Sequence, residues 1–358
     1  MIKFVTGNLL DAKVDALVNT VNTVGVMGKG LALQFKKAFP ANCKAYEAAA
    51  KAGAIEIGKM FVFELGGLVL PSYVINFPTK RHWRNGSRLD YIESGLRDLV
   101  NVIRARNIRS IAVPPLGAGL GGLAWRDVRP LIERALAELP NVDVLVFEPN
   151  DAPAPEVMRN DTAKPKMTPG RAAVLSLMNR YLVPGYDYRL SLLEVQKLAY
   201  FLQVAGEPLR LEYRPHFYGP YADNLRHVLH HLEGHYVRGF GDGQNKPETP
   251  LELIGGAAAE AEAFLAAEGA SQARLDEVAS LIEGYETPFG MELLSSVHWV
   301  ATHDVDAAAS ADATVQAVHA WNERKATTMK PEQIRGAWSH LKERGWLARA
   351  ATDPRRSS

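Results

Sequence analysis

Two glycine loops and one lysine are the residues of this sequence best suited to chemistry. The stretch Leu17–Phe35, LVNTVNTVGVMGKGLALQF, leaves an apolar run through Asn19 and Asn22, passes Gly25, Gly28 and Gly30, and enters a helical pattern at Leu31, Leu33 and Phe35. Glycines let a ligand approach the backbone closely, and a helix N-terminus points unsatisfied N–H groups outward. The spacing therefore predicts an anion site, with phosphate as the natural anion. It is not a Walker A loop, because Gly25-x4-Gly30 is followed by Leu31 rather than Lys-Ser or Lys-Thr. The second loop, Gly117-Ala118-Gly119-Leu120-Gly121-Gly122, fits G-x-G-x-x-G between a strand and a helix and is formally compatible with a dinucleotide fold. It comes late, however, one strand from the end of its domain, which leaves no second half-sheet for a nicotinamide. Lys80 follows the apolar run Tyr73–Phe77 and stands beside Arg81. By residue type alone it reads first as a surface lysine on a basic turn. In a partly dry cleft beside another cation, the same amine would have a lowered pKa and could act as nucleophile or proton-transfer group.

These residues need a scaffold, and the first 150 residues predict one. Apolar, β-branched runs at Ile2–Val5, Ala16–Asn19, Met60–Leu65, Leu68–Phe77, Ser110–Pro114 and Val142–Phe147 read as strands. Helical patterns at Gly30–Phe39, Lys44–Ala52, Asp90–Arg106 and Trp125–Glu138 alternate with them. Such alternation implies an α/β sandwich with helices on both faces of the sheet, and ligands bind such sheets at the carboxyl ends of the strands. Thr6–Leu9, Asn19–Gly30 and Leu116–Gly122 all follow strands and are expected to converge there. Residues 151–170 are rich in proline and polar groups without periodicity, a linker. From Arg171 the pattern is helical, giving a mostly α second domain over 171–350, with a frayed tail at DPRRSS. In that domain His227, His231 and His235 recur at helical spacing, but H-L-E-G-H is not H-E-x-x-H, so a packed or partner-facing helix is expected and no metal.

Composition sets bounds. The chain has 358 residues, 47% hydrophobic and 23% charged, as expected of a soluble protein of two domains. A single cysteine, Cys43, excludes an internal disulfide framework and a cysteine-built zinc site. With no apolar leader at MIKFVTGNLL and no run of membrane-spanning length, the expectation is a cytoplasmic protein with no membrane contact. Residues 1–150 hold 19 Lys and Arg against 13 Asp and Glu, whereas residues 151–358 hold 22 against 27. The asymmetry is compatible with ordinary composition scatter, or with a nucleic-acid-facing first half and a second half suited to a basic partner.

FVTGNLL, DALVNTVNTVGVMGKGLALQFKKAFP and VPPLGAGLGGLAW, in this order and separation, resemble a macrodomain, the ADP-ribose-binding fold. MGKGLALQFKKAFP together with INFPTKRHWR is similar to the DarG-type antitoxins, partners of DNA ADP-ribosylating toxins, in the terminal-ADP-ribose-glycohydrolase-like branch. LLEVQKLAYFLQ and FYGPYADNLRHVL loosely resemble antitoxin domains with a KLxYF helix and a later GP turn. The resemblance implies an α/β/α sandwich with a mixed sheet over residues 1–150, no cofactor, and a toxin-binding helical domain. It implies ADP-ribosylated single-stranded DNA, modified on thymidine, as substrate, and ADP-ribose as ligand and product.

Carried over by position, Asn8 matches the residue that recognises adenine, although as a residue after Gly7 it is equally a turn former. Leu9 would supply a backbone N–H. Asn22 matches the amide that holds the distal ribose, with Thr20 and Val21 before it and Asn19 bracing the corner. Gly28, Lys29, Gly30, Leu31, Ala32, Leu33 and Gln34 would wrap the distal ribose and diphosphate. Gly117, Ala118, Gly119, Leu120 and Gly121 would cradle the diphosphate from the other side, with Thr79 nearby. The resemblance makes Lys80 the catalytic residue and turns Arg81, Trp83 and Arg84 into a candidate groove for the modified strand, where cations and a stacking ring grip a nucleic acid. The alternative for that segment is a solvated basic loop. One departure stands out: related glycohydrolases carry an aspartate where this chain has Gly121. The leading expectation is an antitoxin glycohydrolase. The alternatives are a macrodomain hydrolase of protein- or small-molecule-linked ADP-ribose and a non-catalytic ADP-ribose reader.

Overall fold

The computed structural model describes residues 1–349 except 68, 152, 155–156, 183–188 and 242–245. The predicted frayed tail lies outside the described residues, as does Leu68 at the head of one expected strand. By backbone contacts the chain divides into two compact units that part between Ala163 and Lys164.

The first unit is built on a six-stranded sheet. Its elements are β1 (Ile2–Val5), β2 (Ala16–Asn22), α1 (Gly30–Ala38), α2 (Pro40–Lys51), β3 (Phe61–Glu64), β4 (Tyr73–Lys80), α3 (Leu89–Ala105), β5 (Ser110–Val113), α4 (Trp125–Leu136) and β6 (Asp143–Phe147). The strand order is β1-β6-β5-β2-β4-β3, parallel throughout except for β3, which runs antiparallel on β4. This is the mixed α/β/α sandwich expected. Alternation along the strands feeds two cores. Ala16, Val18, Ile75 and Phe77 pack with Ile92, Leu96 and Leu99 on one face, while Leu17 and Val74 pack with Phe35 and Phe147 on the other. Helix α3 comes very close to the sheet at Gly95, where a Cβ would lie 2.2 Å from the Phe77 ring.

Between these apolar layers sits a small polar cluster. Asn19, Asn42 and Asn76 are fully buried. Asn76 accepts from Asn19 Nδ2 at 2.9 Å and donates to Asn42 Oδ1 at 2.7 Å and to the Phe61 carbonyl at 3.2 Å. Buried amide groups are tolerated when paired in this way, although Asn19 Oδ1 has no partner among the described residues. The parallel strands β1, β2, β4 and β5 all end at one edge of the sheet, so the loops after them share that edge.

The second unit is mostly helical, as expected. It contains α5 (Pro169–Tyr181), β7 (Leu190–Ser191), α6 (Leu192–Val204), β8 (Tyr213–His216), β9 (Gly219–Ala222), α7 (Leu225–Leu232), β10 (Val237–Arg238) and β11 (Pro250–Leu253). After these come α8 (Ala257–Leu265), α9 (Gly269–Ile282), α10 (Pro288–His303), α11 (Val305–Ala309), α12 (Ala311–Trp321), α13 (Glu323–Thr328) and α14 (Pro331–Glu343). Helix α6 begins with a capping box, Ser191 and Glu194, and is buried nearly all round, consistent with its apolar sequence. Tyr200, on that helix, donates to His298 Nδ1 at 2.7 Å, and His298 Nε2 meets the Trp346 carbonyl at 3.1 Å, a core anchor that ties α6, α10 and the segment after α14. Among the described residues no group of three or more His, Cys, Asp or Glu could hold a metal, and no helix is long and apolar enough to cross a membrane.

Candidate active site

The loop after β2 is held open by Asn22. Its Oδ1 accepts from the amides of Val24 (3.0 Å) and Val26 (3.2 Å), and its Nδ2 donates to the Val26 carbonyl at 2.6 Å. Tyr46, buried on α2, donates to the Asn22 carbonyl at 2.5 Å. The amide matched to the distal ribose is thus spent on shaping its own loop, and a sugar hydroxyl would compete with these bonds. Gly30 opens α1 with φ +59°, and the preceding Lys29 makes no side-chain cap, so first-turn amides are available to an anion. Gly28 and Lys29 are exposed, Leu31 and Ala32 half-buried, and Leu33 and Gln34 buried. Thr20 is half-buried and Val21 buried. Thr79 is buried too and donates to the Val21 carbonyl at 3.4 Å.

Asn8 acts as a cap. Its Oδ1 accepts from the Leu10 amide and its Nδ2 donates to Asp11, both at 3.1 Å, fixing a 3₁₀ turn over Leu9–Asp11 in which Leu9 is buried. The turn-forming reading of Asn8 describes this geometry.

Lys80 ends β4 and pairs in register with Asn22 of β2. Its Nζ donates to the Leu120 carbonyl at 2.9 Å, which ties it to the second glycine loop. Burial lowers its pKa from the ordinary lysine value, because the charged form loses solvation. The Thr23 amide and hydroxyl both donate to the Arg81 carbonyl, at 3.3 and 2.7 Å, so the β2 loop flanks Lys80 from the other side. Of the three segments expected to converge, Asn19–Gly30 and Leu116–Gly122 are thus brought together at the end of β4.

The second glycine loop is closed by two turn bonds, Gly122 to Gly119 and Leu123 to Gly117, each 3.0 Å, with φ +69° at Gly117 and +78° at Gly122. Among the described residues the amides of Gly119, Leu120 and Gly121 have no partner in the chain, as an anion cradle requires. Ala118 instead donates to the Pro115 carbonyl at 3.0 Å. The structure explains why Gly121 carries no carboxylate. A Cβ there would lie 2.3 Å from both the Gly117 carbonyl oxygen and Ser87 Oγ. Ser87, which the sequence reading missed, also donates its amide to the Gly121 carbonyl at 2.8 Å and so clamps the 82–88 segment onto the loop. No motif marks it; only a side chain packed against two glycines reveals it.

The basic segment is internally ordered. Trp83 stacks on His82 at 5.2 Å, and the Arg84 guanidinium lies 4.6 Å from the Trp83 ring. Arg81 turns toward Tyr91, donating to its hydroxyl at 3.2 Å, and Arg88 is paired with Asp90. Arg84 and Trp83 remain exposed, although the Trp83 ring already carries two stacking partners.

The Macro domain family matches residues 18–132. A protein of Thermus aquaticus named DNA ADP-ribosyl glycohydrolase is 48% identical over 97% of this chain and 94% of its own length. A Thermosipho africanus protein named a DNA ADP-ribosyl transferase–DNA ADP-ribosyl glycohydrolase fusion is 37% identical over 44% of each chain. The solved macrodomain of Mycobacterium tuberculosis DarG is 55% identical and matches 42% of this chain and 99% of its own, with a TM-score of 0.42. Near-complete mutual coverage by the Thermus protein identifies more than a shared module: the chain belongs to the DNA ADP-ribosyl glycohydrolase family.

Proposed function

We propose that the protein removes ADP-ribose from DNA bases in the cleft at the carboxyl edge of the first unit's sheet, with Lys80 as the covalent group. The observation that carries this reading is the seat of Lys80: an amine of lowered pKa at a strand end, bonded to the Leu120 carbonyl of one glycine loop and beside Asn22 at the root of the other. In the proposed sequence neutral Nζ attacks the anomeric carbon of the ribose and the bond from that carbon to the base nitrogen breaks. The base nitrogen takes a proton. The sugar ring then opens to a Schiff base, which water hydrolyses to free ADP-ribose and the regenerated amine. The two loops hold the diphosphate and distal ribose so that the anomeric carbon faces Nζ. Asn8, capped into its turn, would act through the adjoining backbone.

ADP-ribosylated single-stranded DNA, with Arg84 and Trp83 contacting the strand, is the substrate this reading takes. Incubating such DNA with the protein should release ADP-ribose, and Lys80→Ala should abolish release while keeping ADP-ribose affinity. Turnover by Lys80→Ala at the wild-type rate would refute the role of the lysine. The absence of a carboxylate at Gly121 favours a second reading, a non-catalytic reader, which lack of turnover by the wild type would establish.

The helical unit is proposed to bind and mask a DNA ADP-ribosyltransferase toxin in the cytoplasm. The fusion of transferase and glycohydrolase in the Thermosipho relative supports a partner of that kind, and the acidic balance of residues 151–358 suits a protein whose own substrate is anionic. Toxin should be captured by residues 170–358 and not by 1–155; capture by the first fragment alone would overturn this division.

A further inference from the structure

Two stretches that the sequence singles out in the helical unit, LLEVQKLAYFLQ and FYGPYA, have no part in the chemistry above, yet they meet in a buried charge cluster. Lys197, from α6, donates to the Pro220 carbonyl at 2.6 Å. Gly219, with φ +91°, runs so close by that a Cβ there would lie 2.8 Å from Ser296 Oγ and 3.5 Å from Lys197 Nζ. Ser296 accepts from Lys325 Nζ at 3.0 Å. Lys325 and Arg324 then both donate to one oxygen, Oε1 of Glu292, at 2.7 Å each.

Lys197, Lys325 and Glu292 are almost fully buried, so three cations face one buried carboxylate. A buried surplus of positive charge is costly unless an anion answers it. Burial and the neighbouring Lys325 push Lys197 down to about 7, which relieves part of the surplus. Burial lowers Lys325 as well, against the pull of Glu292, while Arg324, 32% exposed, keeps its charge at the cavity side of the cluster. The other acid at the site, Glu248, is exposed on the rim, where water screens it.

A cavity of about 300 Å³ opens onto this cluster. Its walls include Leu193, Tyr218, Pro288 and Phe289, and both Glu292 and Arg324 reach it. The Arg324 guanidinium lies 4.8 Å from the Tyr218 ring, which fixes its plane, and it donates a single hydrogen bond, to Glu292. The rest of its fork is therefore open to an acceptor. A planar fork of N–H donors recognises two oxygens of one carboxylate or phosphate better than any other side chain does.

We propose that this cavity binds a small oxyanion, carboxylate or phosphate, carried on an apolar or aromatic body. Arg324 takes the oxygens, the excess positive charge beneath it favours the anion, and Leu193, Tyr218 and Phe289 enclose the body. The volume suits a single ring with its substituent, at the small end of ligand sites. This inference is independent of the glycohydrolase reading.

The test is calorimetric titration of the full chain with benzoate and with phenyl phosphate, in saturating ADP-ribose so that a phosphate probe cannot occupy the first unit's cleft. Saturable one-to-one binding of at least one probe is expected, weakened roughly tenfold or more by Arg324→Gln, with benzyl alcohol binding far more weakly. Leu193→Trp, which fills the cavity and leaves every charge in place, should abolish binding, and it decides the matter alone if Arg324→Gln fails to fold. No saturable binding of either probe, equal binding of benzyl alcohol, or full retention in Leu193→Trp would each overturn the proposal.

Discussion

Gly121→Ala is the perturbation that most directly examines the glycine loop. The added Cβ would stand 2.3 Å from the Gly117 carbonyl oxygen, 2.3 Å from Ser87 Oγ and 2.8 Å from Gly117 Cα. Two of these atoms are backbone of the same tight turn, so they cannot rotate away as a side-chain tip would. Overpacking of this kind costs about 1–3 kcal/mol. If the loop escapes by shifting, its amides leave the positions an anion needs, and ADP-ribose affinity should fall by roughly 5- to 150-fold for that energy. Isothermal titration of ADP-ribose into the full chain reads this directly. Gly119→Ala serves as control, since a Cβ there meets nothing within 4 Å and the residue has no positive φ. Its folding stability should stay within about 0.5 kcal/mol of wild type, the spread of ordinary surface substitutions, so that the strain belongs to position 121. Adding Ser87→Gly to Gly121→Ala removes the hydroxyl but leaves the Gly117 carbonyl in place, so affinity should not recover. Wild-type affinity in Gly121→Ala, or full recovery in the double variant, would refute the backbone argument. The same geometry predicts that grafting an aspartate at 121 damages the loop rather than adding a catalytic carboxylate.

Other outcomes follow from titrating groups. The neutral amine of Lys80 is the reactive form and burial lowers its pKa, so single-turnover base release should rise with pH and level off below the ordinary lysine value of 10.5; a flat profile would contradict covalent catalysis by the lysine. Cys43 is buried and donates to Glu47 at 3.2 Å; burial and that bond push its thiol up to about 12. Thiol reagents at pH 8 should therefore label it only in denaturant, as mass spectrometry would report. His298 is pushed down to about 4 by burial, from 6.5. Between those values the unfolded chain binds the extra proton, so its contribution is complete above pH 6.5 and is lost as pH falls toward 4. The loss amounts to about 3 kcal/mol at most. Urea melts at pH 7 and pH 5 should show the decline, and His298→Gln should flatten it.

Much of the first unit is legible in the sequence because its strands are short apolar runs between turns, and β1, β3, β5 and β6 lie within a residue or two of their expected bounds. The errors are physical. Asn19 and Asn22 read as a polar corner, yet β2 continues through Asn22 because Asn19 finds an amide partner, Asn76, inside the sheet. β4 runs past Pro78 to Lys80, which is tolerated because β3 pairs only as far as Asn76 and makes no demand on the proline nitrogen. It also starts later than expected, at Tyr73, just beyond Pro71 and Ser72. In the second unit, the two- and four-residue strands β7 to β11 carry too few residues to show a period. The pattern at 311–325 is two helices because Asn322 caps a new one, accepting from the Lys325 amide. At the site, the meeting of the loops after β2 and β5 was readable from strand ends. The role of Ser87 was not, since it depends on packing between segments more than 30 residues apart.

The buried asparagines of the central strands have a consequence for catalysis. Asn19 lies opposite Asn76 in the β2–β4 ladder, and the same ladder sets Asn22 opposite Lys80. Apolar side chains would let two neighbouring strands slide past one another with little to mark the correct alignment. A slide of one residue would turn Asn76 away from both amide partners, stranding groups whose burial costs about 1–3 kcal/mol each. The amides thus work as an indexing pin: they set where β4 stops along β2, and so where the reactive amine stands relative to the ligand loop. Replacing them with well-packed aliphatic residues could leave the sheet as stable as before and still blur the one alignment on which the chemistry depends.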